Sequence, residues 1–265
     1  MPEVVLVDRS HQHVATVTIN RPEVLNALDE ATLNTLDQVF RDLDRDVSVR
    51  VIVLRGAGPK AFVAGGDLKQ MVNMSPLEFH SYVTTFGRVL LGIAALETPV
   101  IAAVHGYAFG GGMALCLASD LVVASERARF GLSEIKVGLF GGFEFLMRTV
   151  GKHRAAQIVL LGDTFDAATG QDWGLVNRVV PEEDFEAAVA SVARQLAGVS
   201  PIAVRMAKRS LRVALEQGPS GTLAAQSALM SLIFGTADQY EAMSAFLERR
   251  AAEFTGAPGL REEAR

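Results

Sequence analysis

The sequence predicts an α/β fold with a helical C-terminal extension, and three observations carry that prediction. Short β-branched runs alternate with stretches of helical periodicity through the first two thirds of the 265 residues. Four successive helical runs, broken by Gly198, Pro201, Gly218-Pro219 and Gly235, fill the remainder. Hydrophobic residues make up 49% of the chain, enough to bury the core of one large domain, or of a domain with a smaller appendage.

In chain order, residues 4–7 and 14–19 are β-rich runs around the polar segment 8–13 and read as a hairpin. From Asp29 onward, Leu33, Leu36, Phe40 and Leu43 recur at helical spacing as far as Asp44. Residues 50–54, RVIVL, form a short buried strand, and the glycine-bearing loop 56–68, GAGPKAFVAGGDL, follows. Ser75-Pro76-Leu77-Glu78 has capping-box spacing with proline at the first helical position, so a helix starts there. Phe79, Tyr82, Val83, Phe86, Val89, Leu90 and Ile93 fall on its inner face. Residues 100–120, VIAAVHGYAFGGGMALCLASD, give a buried strand over 100–104, three glycines, and an apolar helical run over 113–118. A further strand covers 121–124, and the segment 128–142, ARFGLSEIKVGLFGG, sets Glu134 among apolar neighbours. Helical patterns cover 154–161 and 166–173, and an extended piece spans 174–180. Helices are then expected over 181–197, 201–217, 220–234 and 237–253, with a polar tail, 255–265, expected to fray.

Composition narrows the function. A net charge of −5 without a Lys/Arg cluster argues against nucleic acid as a partner. The single cysteine, Cys116, excludes an internal disulfide and a Cys-based zinc site, and its apolar setting reads as an inert core thiol. The first residues lack a signal-type pattern and no apolar run reaches membrane-spanning length, so a soluble, cytoplasmic protein with no membrane partner is expected. His11, His13, His80, His105 and His153 are scattered, so no metal site is expected, and His105 reads as a packing residue. No G-x-S-x-G occurs, which sets nucleophilic hydrolysis aside.

Two loops share one property. Ala64-Gly65-Gly66-Asp67 and Gly110-Gly111-Gly112 each follow a buried strand and open a helix, where uncovered N–H groups and the helix dipole favour a negatively charged oxygen. Tight helix–strand packing is the competing explanation for either loop taken alone. Neither matches a dinucleotide fingerprint or a P-loop. Facing each other, the two can hold one oxygen between the N–H groups of Gly66 and Gly111, an oxyanion hole for charge developing on a carbonyl.

The pieces RPEVLNAL, PKAFVAGGDLKQM, HGYAFGGGMALCLASDLVVAS, ARFGLSEIKVGL, GDTFDAATGQDWGLVNRVV and TADQYEAMSAFLERRAAEF resemble the crotonase family of enoyl-CoA hydratases and isomerases, in order and over nearly the whole chain. The resemblance implies a spiral of ββα units over residues 1–197 carrying an acyl-CoA site, and a C-terminal helical region over 198–265 that assembles a homotrimer, often doubled to a hexamer. It implies that coenzyme A, as part of the substrate and with no separate cofactor, lies along Leu25, Ala27 and Leu28 and along Ala64, Gly65, Asp67 and Leu68. It further implies that Arg249 or Arg250 of the last helix reaches the CoA phosphates across the trimer interface, and that Asp67 caps the helix behind Gly66.

The acids depart from the two-carboxylate hydratase pattern. Where such hydratases carry a glutamate two residues after the glycine triplet, this chain has Ala114; the second glutamate matches Glu134. A carboxylate in an apolar cleft has a raised pKa suited to moving a proton at the carbon α to a thioester. Hydroxycinnamoyl-CoA hydratase-lyases, similar in this segment, also lack the first glutamate but carry a phenol where this chain has Met71, which disfavours aromatic retro-aldol cleavage. Glu144 is new relative to the pattern; it is either a dipole-friendly first-turn residue or a replacement acid from the opposite wall. Phe140, Phe143 and Phe145 read as core, though aromatics so near Glu134 hint at a bulky or branched acyl pocket. The expected activity is enoyl-CoA hydration, with a one-glutamate Δ3-Δ2-enoyl-CoA isomerase and a non-catalytic crotonase-like CoA-binding protein as alternatives.

Overall fold

The structure, a computed structural model, describes residues 3–143, 145–256 and 259. It opens with an antiparallel hairpin, β1 (Val5–His11) and β2 (Val14–Ile19), and with α1 (Glu30–Arg45), capped by the Asp29 carboxylate, which accepts from the Thr32 N–H. One move then repeats: a longer strand enters a six-stranded sheet, a three-residue strand enters a four-stranded sheet, and a helix closes the unit. The first unit is β3 (Val51–Gly56), β4 (Ala61–Val63), α2 (Leu68–Met71) and α3 (Pro76–Ala95). The second is β5 (Val100–Val104), β6 (Tyr107–Phe109) and α4 (Gly111–Ala118). The third is β7 (Leu121–Ser125), β8 (Arg129–Gly131), a 3-10 turn (Glu134–Val137), α5 (Leu146–Val150) and α6 (Lys152–Leu161). Then follow β9 (Thr164–Asp166), α7 (Ala167–Asp172), β10 (Arg178–Val180), α8 (Phe185–Ala197), α9 (Pro201–Glu216), α10 (Pro219–Ile233) and α11 (Ala237–Glu248). This is the expected crotonase-like spiral of ββα units followed by a helical C-terminal region.

The large sheet runs β1-β2-β3-β5-β7-β10 and is parallel from β2 onward; the small one runs β4-β6-β8-β9, with only β8 and β9 antiparallel. The apolar runs of β3 and β5 exist because both faces of the large sheet are covered. Ile52, Leu54, Ala102 and Val104 face the main core with α1 and α3, while Val51, Val53, Ile101 and Ala103 pack under Phe185, Val189 and Ala193 of α8. The ββα step has a direct consequence for the glycine loops: each lies where a short strand of the small sheet ends.

Several expectations are corrected. β1 continues through the polar segment to His11, with an irregularity between Asp8 and His11, because backbone pairing with β2 holds an edge strand whose side chains are mostly exposed. β4 lies inside a stretch read as a loop, and β6 and β8 lie where no element was expected; three residues are too few to show a period. The last helix stops at Glu248, not residue 253, because Arg249 takes the left-handed conformation at φ 57° and sends N–H bonds back to end the helix. The tail is tied down at its start, where Asp238 accepts from the Thr255 and Gly256 N–H groups. Val83, expected on the inner face of α3, is exposed.

The helices after α8 hold to the body through polar ties. Lys208 of α9 reaches the end of the sheet, donating to the Thr98 carbonyl at 3.1 Å and to the Asp120 carboxylate at 2.6 Å. The same carboxylate accepts from Val100 N–H at 2.7 Å, so one acid locks α9 to the start of β5. Leu215, Leu223, Met230, Phe234, Phe246 and Leu247 leave the outer surface of α9–α11 apolar and exposed. Among the described residues no single helix is long and apolar enough to cross a membrane.

Candidate active site

The two segments expected to meet coenzyme A run side by side. Leu25 and Asn26 both take left-handed φ, 55° and 58°, and turn the chain after the 3-10 turn Pro22–Val24. Asn26 is fully buried; its amide accepts from Arg21 N–H and donates to the Ala57 and Ala61 carbonyls, which pins the turn beside β4. The Leu25 carbonyl then accepts from Ala64 N–H, Leu28 N–H donates to the Gly65 carbonyl at 2.8 Å, and Asp67 N–H donates to the Leu28 carbonyl at 2.9 Å. Leu28 and Gly66 thus form a parallel β-bridge. A parallel bridge uses the groups on either side of the bridged residue, so Gly66's own N–H is left out of the pairing with Leu28, and Gly66 lines the cavity. Behind it, Asp67 caps α2 through the Lys69 and Gln70 N–H groups and pairs with Arg21 at 2.9 Å, which also holds Asp29 at 3.0 Å.

The second loop meets the first. A Cβ on Gly110 would lie 3.6 Å from the Gly65 Cα, and Gly111 is the first residue of α4, where an N–H has no partner within the helix. Gly110 sits at φ 52° and ψ −118°, a conformation that L side chains rarely adopt. A Cβ there would also stand 2.7 Å from the Glu134 Oε1, so the glycine makes room for that carboxylate. Gly111 is walled by Leu28 and Phe86, at 3.1 and 3.3 Å from the position its Cβ would take.

Glu134 opens the 3-10 turn after β8, and its Oε2 is buried with no hydrogen-bond partner. Burial raises its carboxyl above the usual carboxylate range. Gly66, Gly111 and Glu134 line one cavity of about 420 Å³, floored by Leu28, Leu68 and Met71. Residues of α3, from Phe79 to Leu91, form one wall, and Val137, residues 139–143 and Phe145 form the other. Glu134 is the one carboxylate among the described lining residues. Such an arrangement can hold a carbonyl oxygen between two backbone N–H groups while a single, easily protonated acid works on the neighbouring carbons.

Other site expectations fare differently. Glu144 lies outside the described residues. Ala114, in the place of the first glutamate, is buried and faces Gly142, whose Cβ would come within 3.4 Å of it and 3.2 Å of Leu132. Phe140, read as core, is 77% exposed at the cavity wall, which Phe143 and Phe145 also line. Arg249 caps the end of α11 and Arg250 follows it, bound bidentately to Glu241 and also to Glu248. Neither arginine lines the cavity of its own chain. Cys116 is buried and its thiol is pushed up by desolvation, and His105 packs against Phe185 at 6.2 Å between ring centroids. Among the described residues no cluster of His, Cys, Asp and Glu is arranged to hold a metal. Sequence reasoning treated Tyr82 as core; its hydroxyl donates to the Leu28 carbonyl at 2.9 Å, on the back of the Gly66 bridge. Its one sequence signal is a polar tip on an otherwise apolar helix face.

Known proteins resemble the chain in sequence and in fold. A family model described as enoyl-CoA hydratase/isomerase matches residues 9–257. The chain is 39% identical over 258 residues to a probable enoyl-CoA hydratase, echA8, of Mycobacterium tuberculosis, covering 96% of this chain and 98% of that one. It is 37% identical over 243 residues to the short-chain-enoyl-CoA hydratase of Clostridium acetobutylicum, covering 91% and 93%. Among solved structures, an enoyl-CoA hydratase from Bacillus anthracis superposes with a TM-score of 0.94 at 31% identity, covering 96% of this chain and all of that one.

Proposed function

The chain belongs to the enoyl-CoA hydratase/isomerase family: it is an enzyme that adds water across the 2,3 double bond of an acyl-CoA thioester, and we propose that Gly66, Gly111 and Glu134 carry the reaction. In this reading the thioester oxygen lies between the Gly66 and Gly111 N–H groups, which stabilise the enolate formed as water attacks C3. The ionised Glu134 takes one proton from that water, leaving hydroxyl on C3, and returns a proton to C2 as the enolate collapses. One carboxylate closes the proton balance, which is what a chain with Ala114 in the other acid's place requires. The observation that supports the assignment is that Glu134, the one carboxylate among the described lining residues, shares the cavity with both glycines.

Coenzyme A is read along Leu25, Ala27 and Leu28 and along Ala64, Gly65, Asp67 and Leu68, with Arg249 or Arg250 supplied to its phosphates by a neighbouring copy. An acyl-CoA binder that forms oligomers, the protein assembles in this reading as a trimer or a doubled hexamer. Residues 1–197 are its catalytic body, and 198–265, with their exposed apolar surface, its assembly region. A cytoplasmic placement suits its reduced, buried Cys116.

Incubation with 2-enoyl- and 3-enoyl-CoAs in ¹⁸O-labelled water tests the chemistry. A product heavier by one labelled water, with the rate lowered about 10²–10⁴-fold in Glu134→Gln, is expected. The absence of the second acid also favours a proton shuttle between the α and γ carbons. An isobaric product with a moved double bond would therefore make the enzyme an isomerase, and binding without turnover would leave a CoA-binding protein.

A further inference from the structure

We infer that the site takes medium-to-long, wholly apolar acyl chains, and that Gly87 sets how far the chain can run; this rests on the acyl-CoA reading above. Phe79, Tyr82, Phe86, Gly87, Leu90 and Leu91 line the cavity from one face of α3 over three turns. Tyr82 and Phe86 stand at the oxyanion end, since the Tyr82 hydroxyl and the Phe86 ring abut the positions that Cβ atoms on Gly66 and Gly111 would take. From Tyr82 to Leu91 the helix climbs about 14 Å at 1.5 Å per residue. An extended hydrocarbon advances about 1.25 Å per bond, so the wall matches an acyl chain of about ten carbons.

Two further observations define the chemistry. Apart from Glu134 and the Tyr82 hydroxyl, which is already bound to Leu28, no described lining residue carries a polar side chain. A carboxylate or hydroxyl on the acyl chain would find no further partner among the described lining residues, at a desolvation cost that methylene groups do not incur. The second observation is Gly87 itself. Glycine is the poorest helix-interior residue after proline, yet neither packing nor backbone explains it here: a Cβ at Gly87 would meet nothing within 4 Å, and its φ is not positive. Gly87 therefore leaves free space in the cavity wall, as does Gly141, which also lines the cavity. Beyond it Leu91 keeps 65% of its surface exposed, apolar area that a chain leaving the oxyanion end would cover.

The test is the ratio of Kd for butyryl-CoA to Kd for decanoyl-CoA, by calorimetry on the full chain, because a ratio cancels any shared loss of folded protein. Each fully buried methylene is worth up to about fourfold in affinity, so six, partly buried, should give a ratio of about 30 or more. Gly87→Leu, which improves helix propensity, should lower the ratio about tenfold by filling the gap, while Gly92→Leu, outside the cavity, should leave it unchanged. A wild-type ratio within about threefold, less than one methylene's worth, overturns the inference. So does an unchanged ratio in Gly87→Leu. A change in oligomer size with no change in ratio would assign this face to a second copy of the chain, and overturns it too. Hydration of the matching 2-enoyl-CoAs is scored separately: preserved binding ratios without hydration would refute the hydratase reading and leave the chain-length inference standing.

Discussion

Gly110→Ala should damage catalysis more than folding. Gly110 holds φ 52° and ψ −118°, and an L-residue there costs about 1–3 kcal/mol in backbone strain. For a chain of this size each kcal/mol shifts Tm by about 2–4 °C, so a fall of about 5 °C is expected. The added methyl would also lie 2.7 Å from the Glu134 Oε1 and 3.3 Å from its Cδ. The carboxylate is the flexible partner in that clash and must withdraw by several tenths of an ångström. A displacement of that order at a reacting group can cost about 10² in rate. The assay is hydration of a 2-enoyl-CoA by protein shown to be folded by its thermal transition. In a Glu134→Gln background, adding Gly110→Ala should cost little further activity, because the group it displaces is already inert. A folded Gly110→Ala enzyme with wild-type kcat would refute the idea that this glycine exists to seat Glu134.

Three other outcomes follow from the same structure. Because burial raises the Glu134 pKa, its protonated form is favoured by folding; that contribution is full below the unfolded value near 4.5 and is lost as pH rises through the higher folded pKa. Glu134→Gln, though slowed about 10²–10⁴-fold, should therefore be more heat-stable than wild type at pH 7, with the difference vanishing near pH 4 in paired thermal melts. Tyr82→Phe removes the bond to the Leu28 carbonyl and should cost about 1 kcal/mol in urea unfolding, with kcat falling more than KM rises if the bond aims Gly66. Lys208→Met strips the buried partner from Asp120 and should cost about 3 kcal/mol, read in the same unfolding assay, with the catalytic constants of the folded enzyme unmoved.

What was legible in the sequence was mostly what is local. The Asp29 cap, the Ser75–Glu78 capping box and the apolar runs of β3 and β5 each depend on neighbours within a few residues. The pairing of Gly66 with Leu28 does not, because it is made across 38 residues by a turn that Asn26 holds from inside. β4, β6 and β8 escaped because three residues show no period; their partners in the small sheet, not their own side chains, make them strands. Phe140 misled because an aromatic side chain is buried only on average, and here the glycines around it carry the chain along the rim of the cavity. The apolar setting of Glu134 was readable from its neighbours, whereas the space Gly110 leaves for it was not, since that depends on two loops meeting.

Leu28 has an unusual position among these residues. Its backbone fixes Gly66, its carbonyl anchors Tyr82, and its side chain touches the place where Gly111 would carry a Cβ. In the proposed site it offers no group to the reaction, yet its backbone holds one of the two proposed N–H donors and its side chain abuts the residue that carries the other. Drift at position 28 is thus drift at both donors together: a smaller residue slackens the pair and a larger one splays it. Neither half of the proposed oxyanion hole is free to evolve without the other.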